Sequence, residues 1–163
     1  MELNLLISYL IHNISYFSPH FINFYILMAF QFKSTYIGEL RTESVHFQSN
    51  TQIITDAPTD NHGKGEAFSP TDLLCVSLAN CKMTTMGIVA QRDNIDLVGM
   101  TCEIEKVMQA TPRRIAEIII VLTVPNPERL NEKERTILRN AALKCPVAQS
   151  LSADVKQTVS FNF

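Results

Sequence analysis

The chain has 163 residues, 46% of them apolar, and a formal net charge of -2. That length suits a single domain with a sizeable core, and the missing basic excess excludes a nucleic-acid binder that works through charge. Its four cysteines, Cys75, Cys81, Cys102 and Cys145, show no zinc-like spacing, and the histidines are scattered, so neither metal nor cofactor is expected.

Residues 1–32 carry one charge, Glu2, and three of the four tyrosines. His12, Asn13, Ser18, Pro19, His20 and Asn23 interrupt the apolar stretch before it reaches the roughly 18 residues of a spanning helix. A basic leader and a small-residue cleavage site are also missing. Leu, Ile, Asn, Phe, Tyr and Ser dominate, as they would in translated AT-rich non-coding DNA. The expectation is a natural start at Met28, with 1–31 outside the fold and one domain over 32–163; the alternative is a membrane-associating N-terminal helix. With no export signal, the expected compartment is the reducing cytoplasm, where paired cysteines are more often reactive than structural. No membrane partner is expected.

Residues 33–48 are rich in β-branched and aromatic types and predict one or two strands, and Thr51–Thr55 predicts another. A mobile surface loop is expected over 56–68, whose Gly-Lys-Gly lacks the rest of a phosphate-binding pattern. Ser69-Pro70-Thr71-Asp72 is a helix start: a capping serine, proline at the first helical position, and an acid three residues after the cap. The helix runs to about Asp93. Between Pro70 and Gln91 only Asp72 and Lys82 are charged, which predicts burial on most sides.

Leu97–Gln109 alternates, with Val98, Met100, Cys102 and Ile104 on one face, and predicts a half-buried strand. A turn at Thr111-Pro112 leads to a second strand, Ile115–Val124, with Ile118, Ile120, Leu122 and Val124 inward. Asn131 with Glu134 starts another helix, whose apolar face carries Ile137, Leu138, Ala141, Ala142 and Cys145 and which Pro146 ends. A short turn or helix over 147–151 and a strand over 155–161 close the chain. The class is α+β, a largely antiparallel sheet around one long buried central helix. A central helix this apolar also predicts a dimer.

Cys81 lies about three turns into its helix, beyond the reach of the N-terminal dipole. A reactive thiolate there needs a cation from elsewhere. Cys145 differs: followed by Pro146, it can cap the next short helix, whose free amides favour a thiolate. Cys75 and Cys102 read as packing. His46 and His62 have no orienting partners near them in sequence, which argues against a Cys-His hydrolase.

Two segments, Ser69-Pro70-Thr71-Asp72-Leu73-Leu74 running on to Leu78-Ala79-Asn80-Cys81, and Ala142-Leu143-Lys144-Cys145-Pro146-Val147, resemble the OsmC/Ohr family of osmotically inducible and organic hydroperoxide resistance proteins, in its OsmC-like branch. The resemblance covers 33–163. It implies an OsmC-like fold and an intertwined homodimer. It also implies that Cys81 is a peroxidatic thiol that reduces an organic hydroperoxide to an alcohol, that Cys145 resolves the sulfenic acid to a disulfide, and that an external dithiol reductant restores the pair. Arg41 matches the family's thiolate-holding arginine, a role suited to a guanidinium that can bind sulfur and carboxylate together. The orienting acid of the characterised peroxidases directly follows the proline, where this chain has Thr71. Asp72, the candidate here, comes one residue later and is rotated by about 100°; Glu66 and Glu43 are the other acids that could serve. Two rival readings are a non-catalytic dimeric module that binds a small apolar ligand and a redox sensor.

Overall fold

The computed structural model describes residues 30–163. The proposed start at Met28 and nearly all of the N-terminal extension lie outside the described residues. The chain divides into two compact units, Met1–Ala67 and Phe68–Phe163.

The described part of the first unit is an antiparallel sheet of β1 (Phe32–Gly38), β2 (Arg41–His46) and β3 (Thr51–Asp56), in that order. Residues 33–48 thus form two strands. Gly38, Glu39 and Leu40 all have positive φ in the β1–β2 turn, and the Leu40 amide donates to the Tyr36 hydroxyl at 3.2 Å. The β2–β3 register pairs Arg41 with Asp56. Phe32, Tyr36, Ile53 and Ile54 of this sheet are exposed, while Thr55 and Asp56 at the end of β3 are buried.

The segment after β3 is tied down, contrary to the mobile loop expected there. Gly63 and Gly65 donate to Pro58 and Ala57 carbonyls at 3.1 and 3.2 Å, and Lys64 pairs with Glu39. A side chain at position 63 would put its Cβ 1.7 Å from the Ala57 oxygen, so only glycine lets the two backbones approach this closely.

The second unit holds α1 (Pro70–Asp93), the strands β4 (Thr101–Gln109), β5 (Arg114–Thr123) and β6 (Lys156–Asn162), and the helices α2 (Glu132–Leu143) and α3 (Pro146–Ser150). Strand β4 pairs antiparallel with β5, as the alternation predicts, and β5 pairs parallel with β6. Ile118, Ile120, Leu122 and Val124 are buried, as expected. Both predicted capping boxes form. Ser69 and Asp72 close one, and Asn131 and Glu134 the other. Arg139 of α2 lies over the rings of Phe161 and Phe163, at 5.5 and 5.3 Å from their centroids, pinning α2 beside β6.

Two expectations change. The alternation at Leu97–Met100 does not become strand. Met100 donates to the Leu97 carbonyl at 2.9 Å across a turn in which Gly99 has φ of 92°, and Val98 points out, 86% exposed. Helix α1 is buried along one stripe rather than on most sides. Cys75, Leu78, Ala79, Lys82, Met86 and Ala90 face the core at i, i+3 and i+4 spacing, while Leu74 and Ile88 are exposed.

Candidate functional site

The thiol cluster is built on α1. Its start is set by Ser69, whose hydroxyl accepts from the Asp72 amide at 3.1 Å, while the Asp72 carboxylate accepts from the Ser69 amide and hydroxyl at 2.8 and 2.6 Å. Lys106 of β4 donates to the other Asp72 oxygen at 2.6 Å and to Thr71 at 3.0 Å. Burial works to raise the Asp72 carboxyl, but Lys106 and Ser69 outweigh it and hold it below the usual aspartate range. The Asp72 carboxylate is therefore committed to the helix start and to Lys106, a partner the sequence does not suggest.

From that start α1 carries Cys81 to the stripe's edge, half-buried, and Lys82 into the core, 1% exposed. Cys145 is fully buried at the junction of α2 and α3. It caps α3 as its position before Pro146 suggests: the Ala148 amide donates to its Sγ at 3.4 Å. Cys81 acts on the Cys145 thiol as a neighbouring ionisable group, so two side chains far apart in sequence are brought into one neighbourhood. All four cysteines are free. Burial pushes the Cys145 thiol up; the Ala148 amide and Lys82 oppose that, and the neighbouring Cys81 adds to it. The cap forms, then, but burial outweighs it, and Cys145 rests as a thiol. Burial likewise raises Cys75 and Cys102.

Sequence reading did not single out Lys82 as a site residue. Its ammonium donates to the Ala142 carbonyl at 3.3 Å, and burial holds it below the usual lysine range, with Cys145, Cys81 and Cys102 acting in the opposite sense. Thr85, one turn on, donates to the Ala141 carbonyl at 3.2 Å and fastens α1 to the end of α2. The signal was available: Lys82 is the one cation between Pro70 and Gln91, directly after Cys81.

Arg41 belongs to a separate cluster within the first unit. It donates to Asp56 at 3.3 Å and to Glu66 at 2.5 Å. The second Asp56 bond comes from the Glu66 amide at 2.9 Å. That amide is the main reason the buried Asp56 carboxyl stays below its usual range; Arg41 adds to it, and burial opposes both. Glu66 was one of the alternative acids; Asp56 was not foreseen. Glu43 sits on β2 opposite Thr35 and Ile54. Arg41 Nε and Asp56 Oδ1 are buried with no hydrogen-bond partner, so the arginine keeps an unused donor.

Residues 63–160 match the family model described as OsmC-like protein. No curated protein matches the chain. Among solved structures, the chain is similar to a candidate osmotic stress induced and detoxification response protein from Psychrobacter arcticus. The two are 51% identical, with 82% of this chain and 96% of that one covered and a TM-score of 0.78. An organic hydroperoxide resistance protein OsmC from Legionella pneumophila shares 20% identity over 81% of this chain and 95% of that one, at a TM-score of 0.64. The organic hydroperoxide resistance protein OhrB of Bacillus subtilis shares 17% over 82% and 99%, at 0.56; these last two show likeness of fold.

Proposed function

The chain belongs to the OsmC-like protein family, and from that premise we propose that it is a cysteine-based peroxidase that reduces organic hydroperoxides. The observation that carries the reading is that Cys81 and Cys145 share one neighbourhood, with Cys145 capped by an amide. Two thiols in one neighbourhood suit a cycle between dithiol and disulfide.

The Cys81 thiolate attacks the distal oxygen of the hydroperoxide. An S–O bond forms, the O–O bond breaks, and the alkoxide leaves as the alcohol after taking a proton. Cys145, as thiolate, then attacks the sulfenic sulfur, so that an S–S bond forms, the S–O bond breaks, and hydroxide leaves as water with a proton. An external dithiol reduces the disulfide and is itself oxidised. Arg41, braced by Asp56 and Glu66 and with its Nε donor unused, is proposed from the family resemblance alone as the cation for the first step. Asp72 sets the start of α1 and hence the helical phase of Cys81.

The exposed aromatic and aliphatic residues of β1 and β3, with Leu74 and Ile88 of α1, are surfaces for a second copy in a homodimer. The same open face of α1 is what favours the second reading, a module that binds a small apolar ligand. Turnover of an alkyl hydroperoxide with a dithiol reductant separates the two. Cys81→Ser is expected to abolish turnover, and Cys145→Ser to stall it after one cycle with Cys81 oxidised. Wild-type turnover in Cys81→Ser would sink the peroxidase.

A further inference from the structure

We propose that Lys82 is the counter-ion of the Cys145 thiolate, a positioning residue that acts through Cys145 in the resolving step. This rests on the peroxidase reading for its consequence, but not for its observation.

A buried lysine is expensive unless a carboxylate pairs with it. Lys82 is 1% exposed. Among the described residues its ammonium has one hydrogen bond, to the Ala142 carbonyl at 3.3 Å, which leaves a group with three donors largely unpaired. Among the described residues the ionisable groups acting on it are thiols: Cys145 foremost, then Cys81 on its own helix and Cys102 on β4. No carboxylate acts on it. A cation in such a setting gains its partner only when a thiol ionises.

Geometry selects Cys145 among the three. Ala142, which holds the ammonium, lies in the last turn of α2, just before Cys145. Cys145 also receives the Ala148 amide at 3.4 Å, so its sulfur has one donor directed at it and a buried ammonium held on the same turn of chain. Cys102 also feels Lys82, but Glu103 beside it in the chain opposes its ionisation, and no backbone amide caps its sulfur among the described residues. Cys75, on the same buried stripe, answers to Lys106 and Asp72 rather than to Lys82.

The consequence is a division of labour along the helix. Cys81 takes the oxidising hit, and the next residue readies the other thiol to attack it. When the reductant opens the disulfide at Cys81, Cys145 leaves as a thiolate, and the same ammonium receives it.

The test is a pH titration of the full, reduced chain carrying 13Cβ-labelled cysteine, followed by NMR. Lys82→Met keeps length and apolar stem and removes the charge. The Cys145 midpoint is expected to rise by about one pH unit or more, while the Cys75 midpoint stays. An unmoved Cys145, or Cys75 and Cys145 moving together, overturns the proposal. The reciprocal measurement leaves Lys82 in place. In Cys145→Ser the Lys82 ammonium, read through 13Cε, is expected to titrate lower, and an unmoved Lys82 overturns the proposal equally. Neither titration uses peroxide. Loss of the peroxidase reading through Cys81→Ser kinetics leaves these results standing, and their failure leaves that reading standing.

Discussion

The two units handle their central cations in opposite ways. Arg41 sits at the start of β2, in register with Asp56, and has two carboxylates on it. Lys82 lies in the core of the second unit with one carbonyl and a set of thiols. The first arrangement is charge-paired as it stands and braces a guanidinium. The second is unsatisfied until a proton leaves a neighbour, so it stores an electrostatic preference that chemistry can draw on. On the proposal above, the buried cation is where the ionisation of Cys145 is coupled to the resolving step, while the well-paired arginine serves the first step.

Three changes would break or sharpen that contrast. The largest effect belongs to the packed core around Lys82. Leu78→Ala, at a fully buried position on the same stripe, is expected to cost about 2–5 kcal/mol through lost transfer energy and a residual cavity, read from urea unfolding. A cost near zero would mean that the stripe is not packed as a core, and the argument for a desolvated Lys82 would go with it.

Next comes Lys82→Met, with the opposite sign. Removing an uncompensated buried charge is expected to raise stability by about 1–3 kcal/mol at neutral pH, seen as a higher urea midpoint at unchanged slope. Because burial depresses the Lys82 value in the fold, the penalty is full below the folded value. It fades as pH rises from there to the ordinary lysine range, so the gain from methionine should fade in the same window. A lower midpoint in Lys82→Met would show that the ammonium stabilises the resting fold, as Arg41 braces the other unit.

The smallest effect concerns the braced arginine. Asp56 is held below the usual aspartate range, so its contribution is present above that range and lost as pH falls through its lowered value. Thermal melts taken on the acid side of about pH 4 should therefore fall more steeply for wild type than for Asp56→Asn. Parallel acid slopes would mean that Asp56 gains nothing from its charge in the fold.

Much of this was legible beforehand where the cause is local. The Ser69 and Asn131 caps were readable because a helix start is satisfied by residues three apart, and β5 because alternation needs only a buried face and a pleat. Cys145 as a cap followed from Pro146, which has no amide to lose at a first helical position. Val98 misled for an equally local reason: the apolar alternation ran on through Gly99, whose positive φ turns the chain before the strand begins. The buried stripe of α1 was hidden because apolar residues occur nearly all round the helix, so periodicity could not say which side faces in. That is why Lys82 passed as an incidental charge.

Sequence alone therefore determined the elements, both helix caps, the family, and the candidacy of Cys81, Cys145 and Arg41. All of these depend on neighbouring residues or on recognisable short contexts. Tertiary structure decided which groups meet: Cys81 with Cys145, Lys82 with the end of α2, Lys106 with Asp72, and Arg41 with Asp56 and Glu66. Those meetings depend on strand register and on which face of α1 turns inward. Both are set by packing between segments far apart in the chain, and no local pattern encodes them.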